Sequence, residues 1–139
     1  MMTVVLDVNI IVSAALNEQG TPAKALDFAL GADVTLAVSA HILNKLDDVL
    51  HRPYFLEHLS VAGRERIVSM FRGDREPVEP DESVRGIAPD AEDDLVLGTA
   101  VAANAEYLVT GDKGLLAIGA YRGVRIVTAE DFLRVLEQA

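Results

Sequence analysis

The strongest constraint on this chain is an alternation. Four short apolar runs, Thr3-Val4-Val5-Leu6, Val34-Thr35-Leu36-Ala37-Val38, Tyr107-Leu108-Val109 and Val124-Arg125-Ile126-Val127, are separated by stretches that carry helix signals. Continuous β-branched runs of this length predict strands buried on both faces. Thr21-Pro22 supplies an N-cap followed by proline at the first helical position and opens a predicted helix through Leu30. Ser39 caps a predicted helix from Ala40 to about His51, which Arg52-Pro53 ends. Further helices are predicted from about Ser60 to Phe71 and from about Asp93 to Ala103, and Thr128-x-x-Asp131 resembles a capping box for the last. Strands alternating with helices imply an α/β fold with a parallel sheet covered on both faces. The length of 139 residues suits one domain spanning 1–139, and no internal repeat divides it.

Composition narrows the chemistry. Twelve basic against 22 acidic residues leave a formal charge of −10, which argues against a surface built throughout to grip nucleic acid. The chain has no cysteine, so disulfides, zinc–thiolate sites, iron–sulfur clusters and thiol nucleophiles are excluded. It has no tryptophan and only 5% aromatics, which disfavours base-stacking platforms. No targeting segment and no apolar stretch of membrane-spanning length is visible, so a soluble, cytoplasmic protein without membrane contact is expected.

Much of the negative charge lies between Gly73 and Asp94, where nine acids face only Arg75 and Arg85. With Pro77, Pro80 and Pro89 this stretch reads as a connection with a short strand around Ser83 to Ile87. Such runs are usually solvated loops. In an open parallel sheet, however, ligands bind beyond the carboxyl ends of the strands, where strand order reverses. Asp7 follows the first strand, Asp93 and Asp94 stand at the start of a helix, and Asp112 follows the Tyr107–Val109 strand. Carboxylates gathered in one cleft need a compensating cation or must take up protons. Hard oxygen donors without cysteine point to Mg²⁺ or Mn²⁺, able to activate water and stabilise charge on a phosphodiester. Read one at a time, each acid is equally a helix cap. Asn9 and Ser13, polar interruptions of an apolar segment, either orient Asp7 or a metal-bound water, or cap the helix.

Other chemistries lack their motifs. The chain contains neither G-x-x-x-x-G-K-[ST] nor G-x-G-x-x-G, and no serine lies in a G-x-S-x-G elbow. A phospho-aspartate hydrolase needs a second acid two residues beyond Asp7, where Asn9 stands. His41, His51 and His58 follow no metal-ligand spacing.

The segment Val4-Val5-Leu6-Asp7-Val8-Asn9-Ile10-Ile11-Val12-Ser13-Ala14 resembles the opening of PIN domains, where Asp-Thr-Asn or a close variant follows the first strand. Asp90-Ala91-Glu92-Asp93-Asp94 and the block from Thr99 to Leu116, with Val109-Thr110-Gly111-Asp112-Lys113 at its centre, are similar to that family's second half. The ending from Val124 to Leu133 also fits, so the likeness spans essentially the whole chain in order. It is closest to the subgroup described as toxin components of toxin–antitoxin systems. The resemblance implies a three-layer α/β/α sandwich around a mostly parallel sheet and a Mg²⁺- or Mn²⁺-dependent endoribonuclease. Its catalytic, metal-binding acids would be Asp7, Asp93 and Asp112, with Asp94 a neighbouring candidate. Asn9, Thr110 and Ser13 would support them, and Lys113 would touch a substrate phosphate. RNA would be the substrate and a small protein antitoxin the partner, and a homodimer would be unsurprising.

Two positions depart from the family pattern. Ala91 stands where a proline is common, which removes no ligand. More consequentially, the family expects a glutamate within Glu-Leu-x-x-Val-Leu, and the matching segment is Lys45-Leu46-Asp47-Asp48-Val49-Leu50. Helical periodicity puts Ile42, Leu43, Leu46, Val49 and Leu50 on one apolar face, His41, Lys45 and Asp48 along one flank, and Asp47 on the other. Three outcomes stay open. Asp48 replaces the missing carboxylate; the three aspartates alone hold one weakly bound metal; or Lys45 fills the place of the metal's charge and leaves a slow or silent PIN-fold module that binds a partner protein or RNA. The bland alternative is a Lys45 that reaches solvent and affects nothing.

Overall fold

The computed structural model describes residues 2–73 and 76–138. Its elements run β1 (Met2–Leu6), α1 (Val8–Leu16), α2 (Thr21–Ala29), β2 (Val34–Leu36), α3 (Ala40–Leu50), α4 (Pro53–His58), α5 (Val61–Arg72), α6 (Ala91–Ala102), β3 (Tyr107–Val109), α7 (Lys113–Ile118), β4 (Ala120–Tyr121), β5 (Val124–Val127) and α8 (Ala129–Glu137). The sheet order is β2-β1-β3-β5-β4, parallel except for β4, which is antiparallel to β5. All four expected strands and the expected mostly parallel α/β architecture are present.

The burial of the inner strands explains their composition. Val4, Val5, Leu108 and Val109 are wholly buried, as a strand covered on both faces requires. From β1 the chain runs through α1 and α2 to β2 on one side, then returns past β1 to β3 on the other. Right-handed crossovers in opposite directions place the intervening helices on opposite faces of the sheet. Accordingly α2 packs with α8, while α6 packs on β1 and β3 and meets α3, which is backed by α5. The reversal of strand order falls between β1 and β3. Their register pairs Leu6 with Val109, and the Asp7 N–H donates to the Val109 carbonyl at 2.9 Å. The residues after both strands, Asp7 and Thr110, therefore emerge side by side.

The helix starts follow the expected capping chemistry. Ser39 accepts from the Ile42 N–H, Ser60 from Gly63 and Thr128 from Asp131. Three short elements, α4, α7 and β4, go beyond the sequence expectation. The strand expected around Ser83 to Ile87 is absent, and the segment is a succession of turns and bends. The physical reason is specific: the Ser83 N–H donates to the Asp81 carboxylate, and the Gly86, Ile87 and Ala88 N–H groups all donate to Asp94. Donors committed to two carboxylates cannot enter a ladder. Within the acidic connection, Asp74 and Arg75 lie outside the described residues.

Candidate active site

Asp7 is the N-cap of α1 and only 2% exposed. One carboxylate oxygen accepts the Val8 N–H at 2.8 Å and the other accepts the Thr110 hydroxyl at 2.7 Å. Thr110, wholly buried, uses the same hydroxyl oxygen to accept the Asp112 N–H at 3.0 Å. A relay of two hydrogen bonds thus joins the strand-end acids of β1 and β3. Asn9 reinforces it from α1, its amide oxygen accepting the Gly111 N–H at 3.2 Å. Asparagine here fastens the turn after β3 to the helix after β1. The Ser13 side chain is exposed on α1, three residues short of its end.

Asp112 caps α7, accepting the Leu115 N–H at 2.9 Å. Gly114, in the first turn of that helix, lets the start of α6 approach, since an added Cβ would lie 3.0 Å from the Pro89 ring and 3.1 Å from an Asp112 oxygen. Lys113, between them in sequence, is exposed.

Asp93 enters from the first turn of α6, half-buried. Its carboxyl is pushed up to about 6, first by burial and then by the charges of Asp112 and Asp7; Lys45 opposes the shift, and Asp90 adds a smaller repulsion. The charges of Asp7 and Asp112 thus bear on Asp93, and that of Lys45, on α3, opposes them. Among the described residues, no three histidine, aspartate or glutamate side chains are gathered so that they could hold a metal ion.

The remaining candidates fall elsewhere. Asp94, next in sequence to Asp93 and 7% exposed, turns away to bind three backbone N–H groups of the 86–88 segment, which hold its carboxyl below the usual range against the opposing effect of burial. Its oxygens tie a loop to α6. Asp48 is exposed on α3 and is not among the charges acting on Asp93. His51 and His58 each direct Nδ1 at the carbonyl four residues back, Asp47 and Tyr54 respectively. The Nε2 of His41, one turn before Lys45, is buried and is the one such side-chain atom without a hydrogen-bond partner among the described residues. Sequence reasoning missed a buried tie between α3 and α6, in which the Thr99 hydroxyl lies 2.9 Å from that of Ser39. Two hydroxyls 60 residues apart carry no local signal.

A parallel sheet whose order reverses beside a set of carboxylates defines a class: three-layer α/β proteins with an acidic cleft at the strand ends. Within that class, the chain belongs to the PIN domain family, whose model matches residues 3–114. Solved structures share the fold. PAE2754 from Pyrobaculum aerophilum is similar with a TM-score of 0.66 at 17% identity, over 99% of this chain and 91% of that one. VapBC2 from Rickettsia felis, bound to a DNA fragment from its promoter, is similar with a TM-score of 0.60 at 19% identity, over 90% and 97%. VapBC-5 from Mycobacterium tuberculosis, described as a member of the VapBC family of toxin–antitoxin systems, is similar with a TM-score of 0.54 at 15% identity, over 92% and 99%. No curated protein matches the sequence.

Proposed function

We propose that the chain is an endoribonuclease dependent on Mg²⁺ or Mn²⁺ and the toxin of a toxin–antitoxin pair. The observation that carries this reading is the shared neighbourhood of Asp7, Asp93 and Asp112, in which two neighbouring acids help hold the Asp93 carboxyl up to about 6. Such a cluster is short of a cation, and its all-oxygen donors suit a hard divalent ion. When bound, the metal would supply an activated water and charge stabilisation at the phosphodiester.

The chain's own residues do the rest. Asp7 and Asp112 are held in fixed relation through Thr110, with Asn9 bracing the turn between them. Each hydrogen-bonded carboxylate oxygen still has a lone pair to offer a metal or its water. Asp93 adds a third carboxylate from the first turn of α6. Lys113, exposed beside Asp112, is placed to neutralise a substrate phosphate. With a net charge of −10, RNA would be gripped locally by such bases, or by basic surface supplied by a second copy or a partner. A protein antitoxin is suggested by the family and by the similar structures described as VapBC systems. Such an enzyme would meet its RNA in the cytoplasm.

Cleavage of a mixed RNA pool by the purified chain in Mn²⁺ tests the proposal. Activity is expected to stop in EDTA and to fall in Asp7→Asn and in Asp93→Asn by more than the roughly 10–100-fold that loss of a residue merely supporting a metal ligand costs. Cleavage that survives both substitutions would place the chemistry elsewhere.

A further inference from the structure

The two features that the composition disfavours, a basic surface and a platform of stacked rings, occur together on the α4–α5 hairpin. Residues 52–72 hold Arg52, Arg64, Arg66 and Arg72 against Glu57 and Glu65, so this stretch is positive by two while the rest of the chain is negative by twelve. None of the four arginines forms an ion pair among the described residues. The hairpin also contributes little to the core, since α4 buries no residue and α5 buries only Phe71. On α4 the Tyr54 ring, 55% exposed, is stacked with that of His58 at 4.1 Å and 22°. The stack is held in place by His58 Nδ1, 2.6 Å from the Tyr54 carbonyl, and by Phe55, which meets Tyr54 edge-on. Arg64 donates to the Leu59 carbonyl at 2.7 Å, which fixes its guanidinium where α4 ends and α5 begins. Arg72 lies eight positions further along α5, about 12 Å by helical rise and on nearly the same face. Both border a groove of about 390 Å³ between α3 and α5, with His51 and Ser69. Asp47 and Glu65 border it too, so the groove suits a polyanion passing over it, one phosphate at each arginine, better than an enclosed anion.

We propose that the α4–α5 hairpin is the RNA grip of this chain: unpaired bases of a single strand stack on the Tyr54–His58 rings while Arg64 and Arg72 hold its phosphates. The inference rests on reading the chain as a ribonuclease, and it names the surface by which an acidic protein meets an acidic polymer. Aromatic faces accept any base, and the planar fork of arginine matches phosphate oxygens. Only an unstacked strand offers its base faces to protein rings, so a duplex would be gripped poorly. The hairpin is also close to the acids in the packing order: α6, which carries Asp93, meets α3, and α3 is backed by α5. At most two helix-packing steps of about 8–10 Å each therefore separate the axis of α5 from that of α6.

Fluorescence anisotropy of a labelled oligoadenylate of about 12 nucleotides, with the full chain in EDTA so that binding is read apart from cleavage, tests this. Tyr54→Ala should weaken binding roughly tenfold and leave its salt dependence unchanged, while Tyr54→Phe stays close to the wild type. Arg64→Ala and Arg72→Ala should each weaken binding and flatten the slope of log affinity against log salt by about 0.7, the share of one phosphate contact on a single strand. Arg64 also fastens α4, so Arg72→Ala, whose side chain is exposed and makes no such bond, is the variant that separates grip from fold. Unchanged affinity in Tyr54→Ala, or an unchanged salt slope in Arg72→Ala, overturns the inference. So does a wild type that binds no oligoadenylate yet cleaves RNA in Mn²⁺, and in each of these cases the nuclease reading stands. Self-association that Tyr54→Ala abolishes, with RNA affinity unmoved, overturns it in favour of a second copy on this face. Absence of both binding and cleavage overturns the grip and the nuclease together.

Discussion

Asp93 and Asp94 are neighbours in sequence and opposites in physics. Asp94 points into backbone donors that favour its charge, whereas burial, and then the charges of Asp112 and Asp7, disfavour that of Asp93. An acid whose pKa rises on folding, here from 3.8 to about 6, binds its proton more tightly in the native state. Its contribution to stability is therefore present at low pH and is lost as pH rises from about 4 to about 6. Because the group is partly exposed, screening holds that contribution to about 1 kcal/mol. The melting temperature of Asp93→Asn, compared with the wild type in EDTA, should gain ground steadily across that window. A difference that does not vary with pH would mean that Asp93 is not crowded by Asp7 and Asp112. Helical phasing alone distinguishes the two acids, since adjacent positions on α6 point about 100° apart. The sequence motif put both acids at the start of α6, and only the resemblance favoured Asp93 over Asp94.

Among the elements, the long capped helices and the doubly buried strands were legible because burial and capping write themselves into residue type. The short pieces were not. Six residues in α4 and α7 are too few for a periodic signal, and β4 has two. The false strand near Ser83 had acceptable side chains, but Asp81 takes the Ser83 N–H and Asp94 those of Gly86 and Ile87. The Asp94 carboxylate is what joins the acidic connection to α6. Asp94→Ala leaves three N–H groups to find other partners and should cost about 2–3 kcal/mol in urea unfolding. A loss below half a kilocalorie would show that water replaces the carboxylate without penalty. At the site, the strand-end positions of Asp7 and Asp112 were readable from topology. The Ser39–Thr99 tie depends on how α3 crosses α6, and no local pattern encodes that crossing.

Across the whole molecule, the charge of −10 opposes compaction, and its sign is unsuited to RNA. Screening shortens the reach of that repulsion to about 8 Å at physiological ionic strength. Raising NaCl from about 0.05 to about 0.5 M should therefore raise the melting temperature by a few degrees. A fall would mean that attractive ion pairs outweigh the net repulsion. The visible pairs are few and exposed, two of them sharing Arg134 on α8. The same molecule-wide view gives the β1–β3 pairing a temporal meaning. Thr110 locks Asp7 to a partner acid encoded more than a hundred codons later, so the two cannot come together on a growing polypeptide until that second acid has been translated. If these acids cut RNA, a ribosome making this chain is spared its product's activity until Asp112 has emerged.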